Sequence, residues 1–225
     1  YGYDVITLTV DLGGGQFSTD LKKRAKKAGA SDCIIWDVKE EFAKDFILPS
    51  LLAGAIYENE YLLATSIGRP LMAKKLVEAS LEYGAKAVAH GCTGKGNDQV
   101  RFDTAIKTLS SDAPLEIIAP AREASLTRDE EKEYAKKLDI KLPGVDERVY
   151  SIDRNLWGLA IEGEDLEDPW LEPPEDAYLI TSSLEDSPNE PKYIEISFNK
   201  GTPVKLNGKK LSLVNLIEDL NDIAG

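Results

Sequence analysis

Apolar, β-branched runs alternate with amphipathic stretches along the first two thirds of the chain. Tyr3–Asp11 (YDVITLTVD) reads as a buried strand, ended by Gly13-Gly14-Gly15. Residues 18–28 read as a helix, with Ser18 at its N-cap, Lys22 to Lys27 as a basic outer face and Gly29 just past its end. Cys33–Asp37 predicts a second strand. Residues 38–57 read as helical, with Pro49 as a kink or break. A helix is expected over 70–83, with Pro70 in its first turn and Gly84 closing it. Residues 85–90 (AKAVAH) predict a third strand, followed by the glycine-rich loop Gly91–Gly96. Asp98–Leu109 predicts a helix with Phe102, Ala105, Ile106 and Leu109 on one face. A fourth strand is expected at 115–119. A charged helix is expected over 127–138, opened by a capping box from Thr127 to Glu130. Strands separated by helices imply βαβ units, an α/β fold and a mostly parallel sheet. In such sheets ligands sit beyond the carboxyl ends of the strands.

The pattern changes after Pro143-Gly144. Residues 165–176 (DLEDPWLEPPED) are acidic and proline-rich and read as an extended connector. Residues 178–181 and 193–198 read as strands. Asn207-Gly208 is a two-residue hairpin signal, and residues 213–223 predict a helix. The expected organisation is an α/β domain over 1–142 and the first part of an α+β domain over 143–225, with no internal repeat.

Composition narrows the function classes. The 225 residues are 42% apolar and 30% charged, as in a globular chain, and no apolar run approaches a membrane span. The opening Tyr1-Gly2-Tyr3-Asp4-Val5 lacks the basic start of a signal peptide. The net charge of −13 disfavours nucleic acid as a partner, because a phosphate-tracking surface must be positive; a small anion held by local groups stays open. Two cysteines, Cys33 and Cys92, make neither a disulfide framework nor a CxxC metal motif, and His90 is the sole histidine. A reducing, cytoplasmic compartment and no resident metal are therefore expected.

The best candidate for chemistry is Gly91-Cys92-Thr93-Gly94-Lys95-Gly96-Asn97-Asp98-Gln99, which leaves a predicted strand and opens a predicted helix. Glycines there let backbone N–H groups close on an anion, and the helix N-terminus favours negative charge. The segment is not a P-loop. Nor is it a dinucleotide fingerprint, since Gln99 stands where the third glycine belongs. A tight turn that uses its glycines for geometry alone explains the same spacing. Asp98 and Arg101, three apart, either pair to stabilise the helix or bind a substrate's ammonium and carboxylate groups. Thr65 and Ser66 either cap a helix or bind a polar ligand. His90 reads as a satisfied polar residue at a strand end rather than a general base, and Cys92 has no companion that would make it a nucleophile. Trp36, Trp157 and Trp170 are expected to pack in the core or between domains.

Taken together, three blocks carry a resemblance. They are residues 90–102 (HGCTGKGNDQVRF), residues 61–70 (YLLATSIGRP), and residues 150–158 (YSIDRNLWG) followed by Leu166-Glu167-Asp168-Pro169. In this order, with the opening Gly2-Tyr3-Asp4-Val5-Ile6, they resemble argininosuccinate synthases over essentially the whole chain. The resemblance implies a nucleotide-binding domain of the adenine nucleotide alpha hydrolase type, followed by part of a synthetase domain. It implies ATP-dependent joining of L-citrulline and L-aspartate through a citrullyl-AMP intermediate, in arginine biosynthesis and the urea cycle. Mg²⁺ would accompany ATP, no protein nucleophile is needed, and the full-length form would be a cytoplasmic homotetramer. Carried over by motif, Val10 and Gly91 would touch ATP. Thr93, Asn97 and Asp98 would hold aspartate. Tyr61, Ser66, Asn97, Arg101 and Ser151 would hold citrulline. The family's pyrophosphate loop, of the type Ser-Gly-Gly-Leu-Asp-Thr-Ser, would precede Tyr1, and its chain runs on beyond Gly225. Ala160 stands where a serine is usual. The 225 residues alone are therefore expected to be inactive. The rivals are another ATP pyrophosphatase, such as a tRNA-thiolating or amidotransferase-linked enzyme, and a non-catalytic fragment that keeps the fold.

Overall fold

The computed structural model describes residues 2–15, 20–125, 128–138, 140, 150–183 and 185–224. Along the chain the elements are β1 (Ile6–Asp11), α1 (Leu21–Lys27), β2 (Asp32–Asp37), α2 (Lys39–Phe42), a π-helical turn (Ala43–Ile47), α3 (Leu48–Leu52), α4 (Ala64–Glu82), β3 (Ala87–Ala89), α5 (Asp98–Leu109), β4 (Glu116–Ile118), α6 (Pro120–Ala124) and α7 (Arg128–Lys137). Then follow β5 (Ser151–Asn155), β6 (Gly158–Glu162), two short 3₁₀ turns, β7 (Ile196–Asn199), β8 (Thr202–Leu206), β9 (Lys209–Lys210) and α8 (Leu213–Ala224).

These elements form two compact units that interleave along the chain. The first takes Tyr1–Asp11, Phe17–Asp37 and Ser66–Asp146, and the second takes Leu12–Gln16, Val38–Thr65 and Glu147–Gly225.

The first unit carries the α/β character. β1 and β2 pair in parallel from Ile6↔Asp32 to Asp11↔Asp37, with α1 as the crossover. Gly29, at φ +99°, sits just past the end of α1, as its place in the sequence predicts. β3 and β4 pair in parallel from Ala87↔Glu116 to Ala89↔Ile118, joined through α5. Among the described residues these are two separate two-stranded sheets rather than one continuous sheet. Val88 of β3, Ala73 and Val77 of α4, and Phe102 and Ile106 of α5 make a buried core. The helical period places Phe102 and Ile106 inward, but Leu109 is 49% exposed. Twelve residues of helix run about 18 Å and three residues of strand about 10 Å, so the last turn of α5 outruns the strands it covers.

The second unit is mixed. α2, the π turn and α3 follow one another without interruption, burying Phe42 and Ile47 completely. Pro49 does not break this run. The wider π turn comes directly before it, and the helix continues to Leu52. β5 and β6 form an antiparallel hairpin that the sequence reading did not assign as strands. β7, β8 and β9 form an antiparallel sheet; α8 packs against β8, α2 and the π turn, with Val214, Leu216 and Ile217 buried. The Asn207-Gly208 turn has both residues at positive φ, 49° and 79°, the geometry a type I′ hairpin needs.

Gly13 and Gly14 do more than end β1. Leu156 donates its N–H to Leu12 O at 2.9 Å, drawing the two segments together. A Cβ on Gly14 would lie 2.6 Å from the backbone of Asn155, and one on Gly13 would lie 2.9 Å from Leu156 Cβ. Both glycines have positive φ, so space and backbone conformation both exclude a side chain.

Several expectations are corrected. α4 begins at Ala64, not Pro70, so Pro70 is an interior proline. Having no N–H, it cannot supply the helical hydrogen bond to the carbonyl of Ser66. β1, β3 and β4 are shorter than the apolar runs that announced them. Residues 178–181 form no strand; they follow a 3₁₀ turn at Glu175–Ala177, whose neighbourhood is fixed by Tyr150 O–H donating to Asp176 at 2.8 Å. Trp170 is 92% exposed and packs in no core. α6 was not foreseen. The proposed caps Ser18 and Thr127 lie outside the described residues.

Candidate functional site

The loop Gly91–Gly96 leaves the carboxyl end of β3 and opens α5, where a parallel strand pair offers a ligand its access. Gly96 has φ +84°, whereas Gly91 and Gly94 do not need positive φ. Among the described residues, no atom beyond its chain neighbours lies within 4 Å of the position a Cβ would take on Gly91, and its φ is not in the positive region. Thr93 O–H donates to Lys95 O at 3.1 Å, tightening the loop tip. Asn97 occupies the N-cap of α5, yet its side chain makes no capping hydrogen bond. Its amide therefore projects from a helix start without closing on the backbone.

Asp98 sits between two guanidinium groups. Arg69 Nε of α4 donates to Asp98 Oδ2 at 2.7 Å, and Arg101 Nη1 donates to Oδ1 at 2.7 Å. Burial raises the carboxyl's pKa, but hydrogen bonding and charge from Arg69, then from Arg101, outweigh it and hold the group below its ordinary value. Asp98 is thus an ionised carboxylate held between two guanidinium groups. Each carboxylate oxygen keeps a second lone-pair direction, and Arg101 keeps further N–H donors, so both signs of charge remain presentable to a zwitterion. The sequence reading paired Asp98 with Arg101 alone. Arg69 was missed: it lies in the quoted YLLATSIGRP block, but nothing in the spacing ties it to a residue 29 positions on.

Behind the loop, His90 stacks on Phe102 with ring centroids 5.4 Å apart, and its Nε2 lies 2.9 Å from Asp103 Oδ1. The sequence shows no carboxylate beside His90; α5 brings one back from thirteen residues away. Arg122 Nη1 donates to Asp103 Oδ2 and to Gln99 Oε1, both at 3.1 Å, and Gln99 Nε2 donates to Gly94 O at 2.7 Å. Burial raises the Asp103 pKa, but hydrogen bonds from His90 and Arg122 and the charge of Arg122 outweigh it and hold the carboxyl below its ordinary value. For Cys92, burial is the main cause of a thiol pKa above its ordinary value, which fits no nucleophilic role.

Of the expected site residues, Val10, Ser66, Gly91, Thr93, Asn97, Asp98 and Arg101 belong to the first unit. Val10 is next to the carboxyl end of β1, opposite Trp36 of β2. Ser66 lies in the first turn of α4. Tyr61 and Ser151 belong to the second unit. There the Tyr61 hydroxyl oxygen accepts Thr65 N–H at 3.0 Å, which caps the start of α4 and leaves the phenolic proton free to donate. Ser151 opens β5, opposite Glu162, and Ala160 faces Asp153 in the same hairpin. Two of the recognised blocks meet in this unit. Buried Asn155 donates through Nδ2 to Ala64 O at 2.9 Å and accepts Trp157 N–H at 2.9 Å, and Trp157 Nε1 donates to Leu62 O at 3.1 Å. Asn155 is thus a second residue the sequence reading did not single out.

Among the described residues no three or more His, Cys, Asp or Glu side chains gather as a metal site. Among the described residues no helix is long and apolar enough to cross a membrane.

Comparison with known proteins supplies the family. Residues 1–141 match the arginosuccinate synthase N-terminal HUP domain, and residues 150–225 match the arginosuccinate synthase C-terminal domain. The chain is 56% identical over 225 residues to the argininosuccinate synthase of Dictyoglomus turgidum, covering all of this chain and 55% of that protein. It is 53% identical over 226 residues to that of Carboxydothermus hydrogenoformans, covering all of this chain and 56% of the relative. The chain spans about half the length of these relatives. A parallel α/β unit with a glycine loop at a strand end, the Asp98 cluster beside it and two family matches in sequence order agree: the chain belongs to the argininosuccinate synthase family.

Proposed function

We propose that the protein carrying this sequence joins L-citrulline to L-aspartate at the expense of ATP, releasing AMP and pyrophosphate. The observation that carries the reading is Asp98 held ionised between Arg69 and Arg101, at the start of the helix that follows the glycine loop. Two amino-acid substrates each bring an ammonium and a carboxylate, and this cluster offers a partner for each.

In the reaction the ureido oxygen of citrulline attacks the α-phosphorus of ATP and pyrophosphate leaves. The aspartate amine then attacks the activated ureido carbon, AMP departs, and the amine loses its proton. Every displacement occurs between substrates, so the chain contributes position and charge. Gly91, with open space where a Cβ would be, lets the nucleotide approach the backbone, and Val10 offers its backbone to the adenine. Thr93 and Asn97 present a hydroxyl and an amide to aspartate, while Asp98 accepts from its ammonium group. Arg101 takes the citrulline carboxylate through the donors that Asp98 leaves unused. Asn97, Ser66, Tyr61 and Ser151 supply neutral hydrogen bonds to citrulline. Mg²⁺ enters as the companion of ATP, where it neutralises the triphosphate. In the full-length protein a homotetramer acting in arginine biosynthesis completes the reading.

The test is exchange of labelled pyrophosphate into ATP by the full-length protein. Exchange that needs citrulline, with net turnover that also needs aspartate, supports the reading. ATP binding that neither amino acid alters points instead to a non-catalytic nucleotide-binding module.

A further inference from the structure

We propose that His90 is a positioning residue: its neutral Nε2–H tautomer anchors the glycine loop from beneath, so that Gly91 and Thr93 are preset for ligand. The inference rests on the loop reading above and adds a residue to which that reading gives no role.

The hydrogen bonds fix both ring nitrogens. Cys92 donates its backbone N–H to His90 Nδ1 at 3.3 Å, so Nδ1 must be the unprotonated nitrogen. Asp103 offers only lone pairs at 2.9 Å from the other nitrogen, so Nε2 must carry the proton. A half-turn of the ring about Cβ–Cγ would keep its stack on Phe102 but put carbons where both nitrogens stand, losing both hydrogen bonds, and the side chain is only 5% exposed. From Asp103 the chain of contacts continues through Arg122 to Gln99, and Gln99 returns to the loop at Gly94 O. The circuit therefore holds the loop at Cys92, between Gly91 and Thr93, and again at Gly94. A loop so held loses less freedom when ligand binds than one that must first be ordered. His90 touches no ligand in this scheme; it acts through the Cys92 amide.

His90 is the sole histidine of these 225 residues, and in a ¹⁵N-histidine spectrum of the full-length protein its imidazole is assigned by the signals lost in His90→Gln. The expected pattern is an unprotonated Nδ1 and a protonated Nε2; the Nδ1–H tautomer would overturn the proposal. Two amide variants then separate anchoring from simple burial. His90→Asn keeps an acceptor near Nδ1 and loses the contact with Asp103. His90→Gln reaches the Nε2 position and loses the acceptor for Cys92. The Cys92 amide should stay protected from hydrogen exchange in His90→Asn and lose protection in His90→Gln. Aspartate and ATP affinity should fall about tenfold in His90→Gln and by less in His90→Asn, in line with one hydrogen bond. Equal behaviour of the two variants overturns the proposal. If either variant fails to fold, Gln99→Leu cuts the circuit at its exposed end. It should release Gly94 and weaken aspartate binding while leaving the histidine tautomer unchanged; unaltered affinity would count against the circuit. A wild-type protein with the expected tautomer and Cys92 protection, but with no affinity for ATP or aspartate, would overturn the functional reading and not the anchoring of the loop.

Discussion

Asp98 shows how much a single residue's surroundings decide. As a lone first-turn aspartate it would be an ordinary helix-stabilising charge. Between Arg69 and Arg101 it becomes a fixed anion with fixed cations on both sides. Asp98→Ala should abolish measurable aspartate-dependent turnover, and pyrophosphate exchange with a titration of aspartate reads the effect directly. Arg69→Ala tests the residue that the sequence hid: a fall of at least about tenfold in aspartate affinity is expected from the loss of a charge-assisted hydrogen bond that orients Asp98. The acid response follows from the same contacts. Asp98 and Asp103 both have folded-state pKa values below the ordinary 3.8, so their contribution to stability is complete above that value. It is lost as pH falls through the lower folded values. Acid unfolding followed by circular dichroism should begin at higher pH in Arg122→Ala, where Asp103 loses its cation and its pKa moves back up toward the ordinary value.

At the scale of elements, the Gly13-Gly14 turn and the β5–β6 hairpin are made for each other. Gly14→Ala places a methyl against the Asn155 backbone at positive φ, and a loss of about 1–3 kcal/mol in chemical denaturation is expected. Asn155→Ala should also cost about 1–3 kcal/mol, because Ala64 O and Trp157 N–H both lose their partner in a buried place. A change below about 0.5 kcal/mol in either would mean that the turn and hairpin are not held as described. α4 illustrates how a proline misleads. Pro70 reads as a first-turn residue, but Tyr61 caps the helix from outside and starts it at Ala64. A cap supplied by a phenol from an earlier turn leaves no local signature of the Ser/Thr/Asp/Asn kind.

For the whole molecule, charge separates the proposed reaction from its tRNA-handling rival. A net charge of −13 over these 225 residues should leave the chain without measurable affinity for tRNA at physiological salt, and filter binding checks this. Retention of tRNA in the micromolar range would revive that rival. The interleaving of the two compact units is likewise a property of the whole chain. Leu12–Gln16 and Val38–Thr65 belong with the last third, a grouping that neighbouring residues do not announce.

Features that depend on near neighbours are legible along the chain. They are the period that buries Phe102 and Ile106, the Gly29 stop after α1, the Asn207-Gly208 turn and the glycine loop at the end of β3. The ordered blocks of the sequence were also enough to indicate the family, because long motifs record chemistry that composition cannot. Contacts between residues far apart along the chain arise from folding and leave no local pattern. Folding brought Arg69 to Asp98, Asp103 and Arg122 to His90, and Asn155 to the segment after Tyr61. It also ended strands earlier than their apolar runs and left Trp170 in solvent, because a strand extends only as far as its partner and a tryptophan is buried only where a neighbour covers it.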